Sequence, residues 1–287
     1  MKKLFAKFFG VILIAGFLLN SCDTGITYPP VAETATGEYH TGQFVWHDLA
    51  SPNPQASMAF YKNVFGWEFE TLGSSENAYY VIKNNGKPIG GIFKLAAKYG
   101  SVSEWIASIS VEDVDAAVTL NEAKGGKTIF KKAFFKGRGE TALVQDPQGA
   151  FIAFLHAEGG DPGFDNFEEN TWLWNELWTT DTEGSLDYYR DLFGFNEKSI
   201  LGSKAPYFVF EKDKIKYSGI MGNPVEGART AWMPYISVSD VDAVMKKAVD
   251  AGAHVMMKPN PDIRKGSVAV LLDPLGAQFT IQEWPMN

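Results

Sequence analysis

Trp46-His47-Asp48 and Trp174-Asn175-Glu176 each set an indole two residues from a carboxylate inside an apolar, strand-like run. Side chains alternate across a strand, so each indole shares a face with its carboxylate while His47 points the other way. The same count places Phe44 and Trp172 on these faces, with Ser108 and Ser110 in the first case. In the second it adds Tyr235, Ser237, Gln278 and Gln282. An aromatic wall beside a carboxylate suits an amphipathic small molecule, a cation or a polar ring. A buried carboxylate needs a donor, for which Arg138, Arg229 and Arg264 are candidates; burial would also move it towards general-base chemistry. The alternative is two plain cores in which the aromatics are filling.

Other chemistry is thin. The 287 residues contain four histidines and one cysteine. His40, His47, His156 and His254 are too dispersed for a His-rich metal cluster, and a lone Cys22 excludes an intramolecular disulfide. Gly137-Arg138-Gly139 precedes a strand and no helix, so it is not a phosphate cradle. A net charge of −8 repels phosphate backbones and argues against general nucleic-acid binding. With 14% aromatic and 21% charged residues the chain is no disordered polymer.

The elements that must position these residues come from an internal repeat. Phe44-Val-Trp46-His-Asp48…Phe60-Tyr61…Phe65-Gly66-Trp67 recurs as Trp172-Leu-Trp174-Asn-Glu176…Tyr188-Tyr189…Phe193-Gly194-Phe195, an offset of 128 read from Trp46 to Trp174. Trp105…Asp113-Val-Asp115…Asp146-Pro147-x-Gly149 recurs as Trp232…Asp240-Val-Asp242…Asp273-Pro274-x-Gly276, an offset of 127. Two copies follow, at 43–158 and 171–285, joined by a linker at 159–170. In the first, a strand at 44–50 leads to a helix capped by Asn53, with Pro54 at its first position and Gly66 past its end. Ala56, Ala59, Phe60 and Val64 are its expected inner face. Short strands follow, and a second strand–helix unit begins at Trp105. The order is βαβββ twice per copy, an α+β architecture.

That order, with the Phe-Tyr…Phe-Gly-Trp helix end and the Asp-Pro-x-Gly turn, resembles the vicinal oxygen chelate superfamily of glyoxalases, bleomycin-resistance proteins and extradiol dioxygenases. The resemblance implies two tandem vicinal-oxygen-chelate-like domains, each made of paired βαβββ modules that curl into a cup. In catalytic members His, Glu or Gln side chains point into the cup and hold a divalent metal. Here those positions fall on Trp46, Ile106 and Ala153, and on Trp174, Met233 and Thr280, none of which is a credible ligand. No cofactor is therefore expected, and no metal. The alternative is a His47/His156 metal site, which a one-residue register error would turn inward. The expected ligand-binding residues are Trp46, Asp48, Trp174, Glu176 and Tyr235.

The chain starts with Lys2, Lys3 and Lys7 and an apolar run from Phe8 to Leu19, too short to span a bilayer and typical of an export leader. Leu19-Asn20-Ser21-Cys22 resembles the lipobox of bacterial lipoproteins, which implies a signal peptide at 1–21 and lipidation of Cys22. Residues 22–42, with Pro29-Pro30 and few large apolar groups, read as a flexible tether. The expectation is an exported protein, lipid-anchored in the bacterial cell envelope, whose partners are a membrane and a small-molecule ligand and not nucleic acid. Duplication is compatible with a monomer. Two rivals stand beside the binder: a metal-dependent lyase or dioxygenase, and an envelope interaction scaffold.

Overall fold

A computed structural model describes residues 25–74, 78–164, 167–200 and 206–285. Cys22 and the leader lie outside the described residues. The first copy comprises β1 (Phe44–Ser51), α1 (Pro54–Phe65), β2 (Glu68–Leu72), β3 (Tyr79–Asn84), β4 (Lys87–Lys94), β5 (Glu104–Ser110), α2 (Val114–Ala123), β6 (Lys127–Phe135), β7 (Gly139–Gln145) and β8 (Phe151–Ala157). The second comprises β9 (Trp172–Thr179), α3 (Thr182–Phe193), β10 (Asn196–Ser199), β11 (Tyr207–Lys212), β12 (Ile215–Gly222), β13 (Ala231–Val238), α4 (Val241–Asp250), β14 (His254–Met257), β15 (Val268–Leu272) and β16 (Gln278–Glu283). Each copy is one eight-stranded mixed sheet, ordered β2-β3-β4-β1-β5-β8-β7-β6 in the first and likewise in the second. The fold is α+β, with two tandem copies of paired βαβββ modules.

Local chemistry sets the helix ends. The Asn53 side chain accepts from Ala56 N at 3.2 Å, and Gly66 closes α1 in the left-handed region at φ 75°. The inner face of α1 differs from the expected one. Ser57, Phe60, Tyr61, Val64 and Phe65 are buried, whereas Ala59 is exposed, because the larger side chains claim the core.

The two largest apolar clusters are each built from both copies. Phe60, Tyr61, Phe65, Trp67 and Trp105 pack with Ile236, Val241, Phe279 and Ile281, and α1 lies against α4. The mirror cluster joins Val114, Ile152 and Phe154 to Tyr189, Phe193, Phe210 and Trp232, with α2 against α3. The helical faces of the two sheets thus meet, and the cups face outward.

The repeated sequence signatures cross this junction. Trp105 Nε1 donates to Tyr61 OH at 2.9 Å, and Tyr61 OH donates to Asp273 of the second copy at 3.2 Å. In mirror image, Trp232 Nε1 donates to Tyr189 OH at 2.9 Å, and Tyr189 OH reaches Asp146 of the first copy at 2.8 Å. Asp146 also accepts from Gln148 N and Ala150 N, making the Asp-Pro-x-Gly turn a receptor for the other copy's tyrosine. Burial pushes Asp146 up to about 6 although these donors pull it down.

His47 and Asn175, equivalent positions of the repeat, meet at the same junction. The His47 Nε2–H donates to Asn175 Oδ1 at 2.8 Å, and the ring stacks on Trp172 with centroids 4.1 Å apart. Burial lowers its pKa from 6.5 to about 4, against the opposing effect of the Asn175 bond. An unfolded chain binds the proton below pH 6.5 while the folded one does not, so stability falls as pH drops from 6.5 to 4, by about 3 kcal/mol. His47→Gln removes this titration. Urea unfolding at pH 7.5 and pH 4 should show wild type losing about 3 kcal/mol relative to the variant. An unchanged difference between the two proteins would mean that the ring is not held neutral. The contribution of Asp146, opposite in sign, is common to both proteins and cancels.

Residues 25–42, expected as a flexible tether, lie along the first copy. Tyr28 N donates to Lys136 O at 2.8 Å, Thr36 N to Gly159 O at 2.9 Å, and His40 N to Asp161 Oδ2 at 2.7 Å. Tyr39 stacks on His156 with centroids 4.5 Å apart. Backbone groups satisfied by the domain, with Tyr28 as an apolar anchor, give this polar stretch a fixed path.

Candidate functional site

The first cup grows from β1. Trp46 is 2% exposed and shares the concave face with Asp48. A bulge between Phe44 and Trp46 interrupts the alternation, so Phe44 turns to the junction and packs on Trp232. The same irregularity between Trp172 and Trp174 sends Trp172 to the junction, where its Nε1 donates to Ile89 O. Both departures from the expected face have this one cause.

Trp46 Nε1–H lies 3.2 Å from Asp48 Oδ1 and 3.1 Å from Tyr79 OH, and Tyr79 OH donates to Asp48 Oδ1 at 2.6 Å. The close approach requires Gly91, where a Cβ would meet the Tyr79 hydroxyl at 1.9 Å. Arg138, in the turn between β6 and β7, lays its Cζ 3.6 Å from the Trp46 ring centre and donates Nε to Pro29 O at 2.8 Å. Burial raises the Asp48 pKa, while Arg138 and the Tyr79 and Trp46 donors oppose the rise. Asp48, Tyr79 and Arg138 border a cavity of about 90 Å³, walled mainly by Ile106, Leu143, Phe93 and Phe135, with Tyr28 from the N-terminal segment at its edge. Tyr28 sits edge-on to Tyr79 and Phe135, each at 5.2 Å.

The second cup repeats the parts but joins carboxylate and guanidinium directly. Glu176 accepts from Trp178 Nε1 at 2.7 Å, from Tyr235 OH at 2.8 Å and from Arg264 Nη2 at 2.9 Å. Arg264 Nη2 also donates to Tyr207 OH at 3.0 Å, and its Nη1 donates to Gln282 Oε1. Tyr207 OH accepts from Trp174 Nε1 at 3.3 Å. The two cups differ at one repeat position, where Ser108 pairs with Trp46 in β5 and Tyr235 with Trp174 in β13. The phenol of Tyr235 covers Glu176; the small Ser108 leaves the first cup hollow.

The five expected ligand-binding residues therefore divide between two sites: Trp46 and Asp48 in the first cup, Trp174, Glu176 and Tyr235 in the second. Arg138 and Arg264 supply the donors, whereas Arg229 pairs with Glu104. Ser110 bonds Asp161 at the rim. Tyr79 and Tyr207, not singled out by the sequence, stand 128 residues apart, so the repeat itself carried the signal.

Neither cup fits a divalent metal. Trp46, Ile106 and Ala153 offer no ligand atom in the first, and the one carboxylate is engaged by an indole and a phenol. In the second, Trp174, Met233 and Thr280 leave only Glu176, which is occupied by Arg264. His47 and His156 do not converge: one bonds Asn175, and the Nδ1 of the other lies 3.1 Å from Val111 O. Among the described residues no three His, Cys, Asp or Glu side chains group for an ion.

Known proteins share this architecture. The CFP32 protein of Mycobacterium bovis, whose name assigns it provisionally to the glyoxylases, is 29% identical over 85% of this chain and 95% of its own length. The anthracycline biosynthesis protein DnrV of Streptomyces peucetius is 28% identical over 84% of this chain and 93% of its own. Among solved structures, the Mn(II)-bound glyoxalase of Novosphingobium aromaticivorans superposes with a TM-score of 0.57 at 14% identity, covering 85% of this chain and 83% of that one. Homoprotocatechuate 2,3-dioxygenase of Brevibacterium fuscum gives 0.59 at 17% identity, over 85% and 72%. The sequence pattern of the Glyoxalase/Bleomycin resistance protein/Dioxygenase superfamily matches residues 40–154 and again 173–281, and the chain belongs to that superfamily.

Proposed function

We propose that the protein is a lipid-anchored envelope protein that binds a small organic molecule in its first cup without a metal. The observation that carries this is the hollow lined by Asp48, Tyr79 and Arg138, an apolar cavity with a few convergent polar groups. The second cup, with its Glu176–Arg264 pair closed under Tyr235, is a structural counterpart. Support for the anchor is the basic start, the apolar run and Cys22 at its end. Only five residues separate Cys22 from Tyr28, a reach of at most about 20 Å, so a lipidated Cys22 would hold the mouth of this cup near the membrane surface.

Thermal-shift measurements against a metabolite and antibiotic panel test the binding role. A compound should raise the melting temperature of wild type and lose that effect with Trp46→Ala. No shift from any compound would oppose the role, and a shift unchanged in the variant would move the site elsewhere. For the anchor, Cys22→Ser should transfer the protein from the membrane to the soluble fraction of the cell. Continued sedimentation with membranes would refute lipidation.

A further inference from the structure

We infer that the first cup selects a neutral ligand presenting a hydrogen-bond acceptor and a donor side by side on an apolar stem, as small carboxamides and ureas do. It rests on the binding role proposed above and adds the class of ligand.

Two unlike charges border this cavity, and they are held differently from their counterparts. In the second cup carboxylate and guanidinium touch directly at 2.9 Å. In the first, Arg138 is committed to Pro29 O and the face of Trp46, and Asp48 to Trp46 and Tyr79. Arg138 is only 6% exposed, yet its Nη2 has no hydrogen-bond acceptor. An unmet donor on a buried cation is costly; Arg138 lines the cavity, and a turn of its guanidinium brings the buried Nη2 to an acceptor offered by a ligand. Both hydrogen bonds to Asp48 fall on Oδ1, which leaves Oδ2 to accept from a ligand donor.

The charges of Asp48 and Arg138 sum to zero. A ligand that is itself an anion or a cation would bring an uncompensated charge into a wall of Ile106, Leu143, Leu155 and Phe135. A neutral molecule with C=O towards Arg138 and N–H towards Asp48 meets both groups and adds none. Size follows from the volume. At about 90 Å³ the cavity is smaller than the roughly 150 Å³ hole that takes benzene. With Tyr28 in place it admits a stem of a few carbons, and a larger one must displace Tyr28.

Three probes of nearly equal shape separate the possibilities: isobutyramide, isobutyrate and isobutylamine, titrated into the mature protein by saturation-transfer NMR. Isobutyramide should bind about tenfold or more tightly than either charged probe, and Arg138→Met should weaken it about tenfold. Ser108→Tyr, which copies Tyr235 of the second cup, should abolish binding of all three and so mark the site. The ranking is read on the unaltered protein and stands even if a variant folds poorly. Stronger binding of isobutyrate or isobutylamine, blocked by Ser108→Tyr, would overturn the ligand class and leave the binding role intact. Absence of binding by all three at the first cup would overturn both.

Discussion

Residues 25–164, expressed without the second copy, should show no cooperative unfolding transition as a monomer. The reason lies in the cores. Phe60, Tyr61, Phe65, Trp67 and Trp105 are buried against Ile236, Phe279 and Ile281 of the other copy. Separation returns their outer faces to water, at about 1.5–3 kcal/mol for each large apolar side chain fully re-exposed. Several such losses match the roughly 5–15 kcal/mol by which a whole domain is stable. In the fragment Tyr61 would also lose Asp273 as its acceptor, and Asp146 would lose the Tyr189 donor. Circular dichroism during urea titration would reveal a broad, shallow change. A sharp transition in a monomeric fragment would show that each copy holds its own core.

Arg264→Met should destabilise the intact protein by about 3–5 kcal/mol. Glu176 is 2% exposed and would keep the Trp178 and Tyr235 donors while losing its one charge partner among the described residues. Because the Arg264 side chain is itself 27% exposed, water can partly replace it, which favours the lower end of that range. The urea midpoint should fall with an unchanged slope. Adding Glu176→Gln, which removes the stranded charge, should recover most of the loss, the non-additivity expected of contacting residues. Equal and additive losses would mean that the pair contributes little beyond packing.

Much of the architecture was legible because it is written twice. The spacing from Trp46 to Phe60-Tyr61, repeated from Trp174 to Tyr188-Tyr189, placed the strands, the helices and the faces of Trp46, Asp48, Trp174 and Glu176. Strict alternation failed at Phe44 and Trp172, because a bulge adds a residue that no count along one strand reveals. Arg138 and Arg264 occupy corresponding turns but break the offset by one residue, so the repeat did not align them. Tyr28 was hidden for another reason. Its surroundings, rich in Pro, Thr and Gly, carry no period, and its position depends on a wall formed by Tyr79 and Phe135 far along the chain. The role of the Asp-Pro-x-Gly turns was equally non-local, since a turn motif says nothing of the tyrosine that reaches it from the other copy.

The central claim is that the first cup meets its ligand through Asp48 and Arg138 directly, with no metal between. Elemental analysis of the protein expressed in its own host and purified without chelators tests it most directly. Zn, Mn, Ni and Fe should each fall well below one per chain and be unchanged by Asp48→Asn. One equivalent of any of these ions in wild type, lost in that variant, would contradict the account.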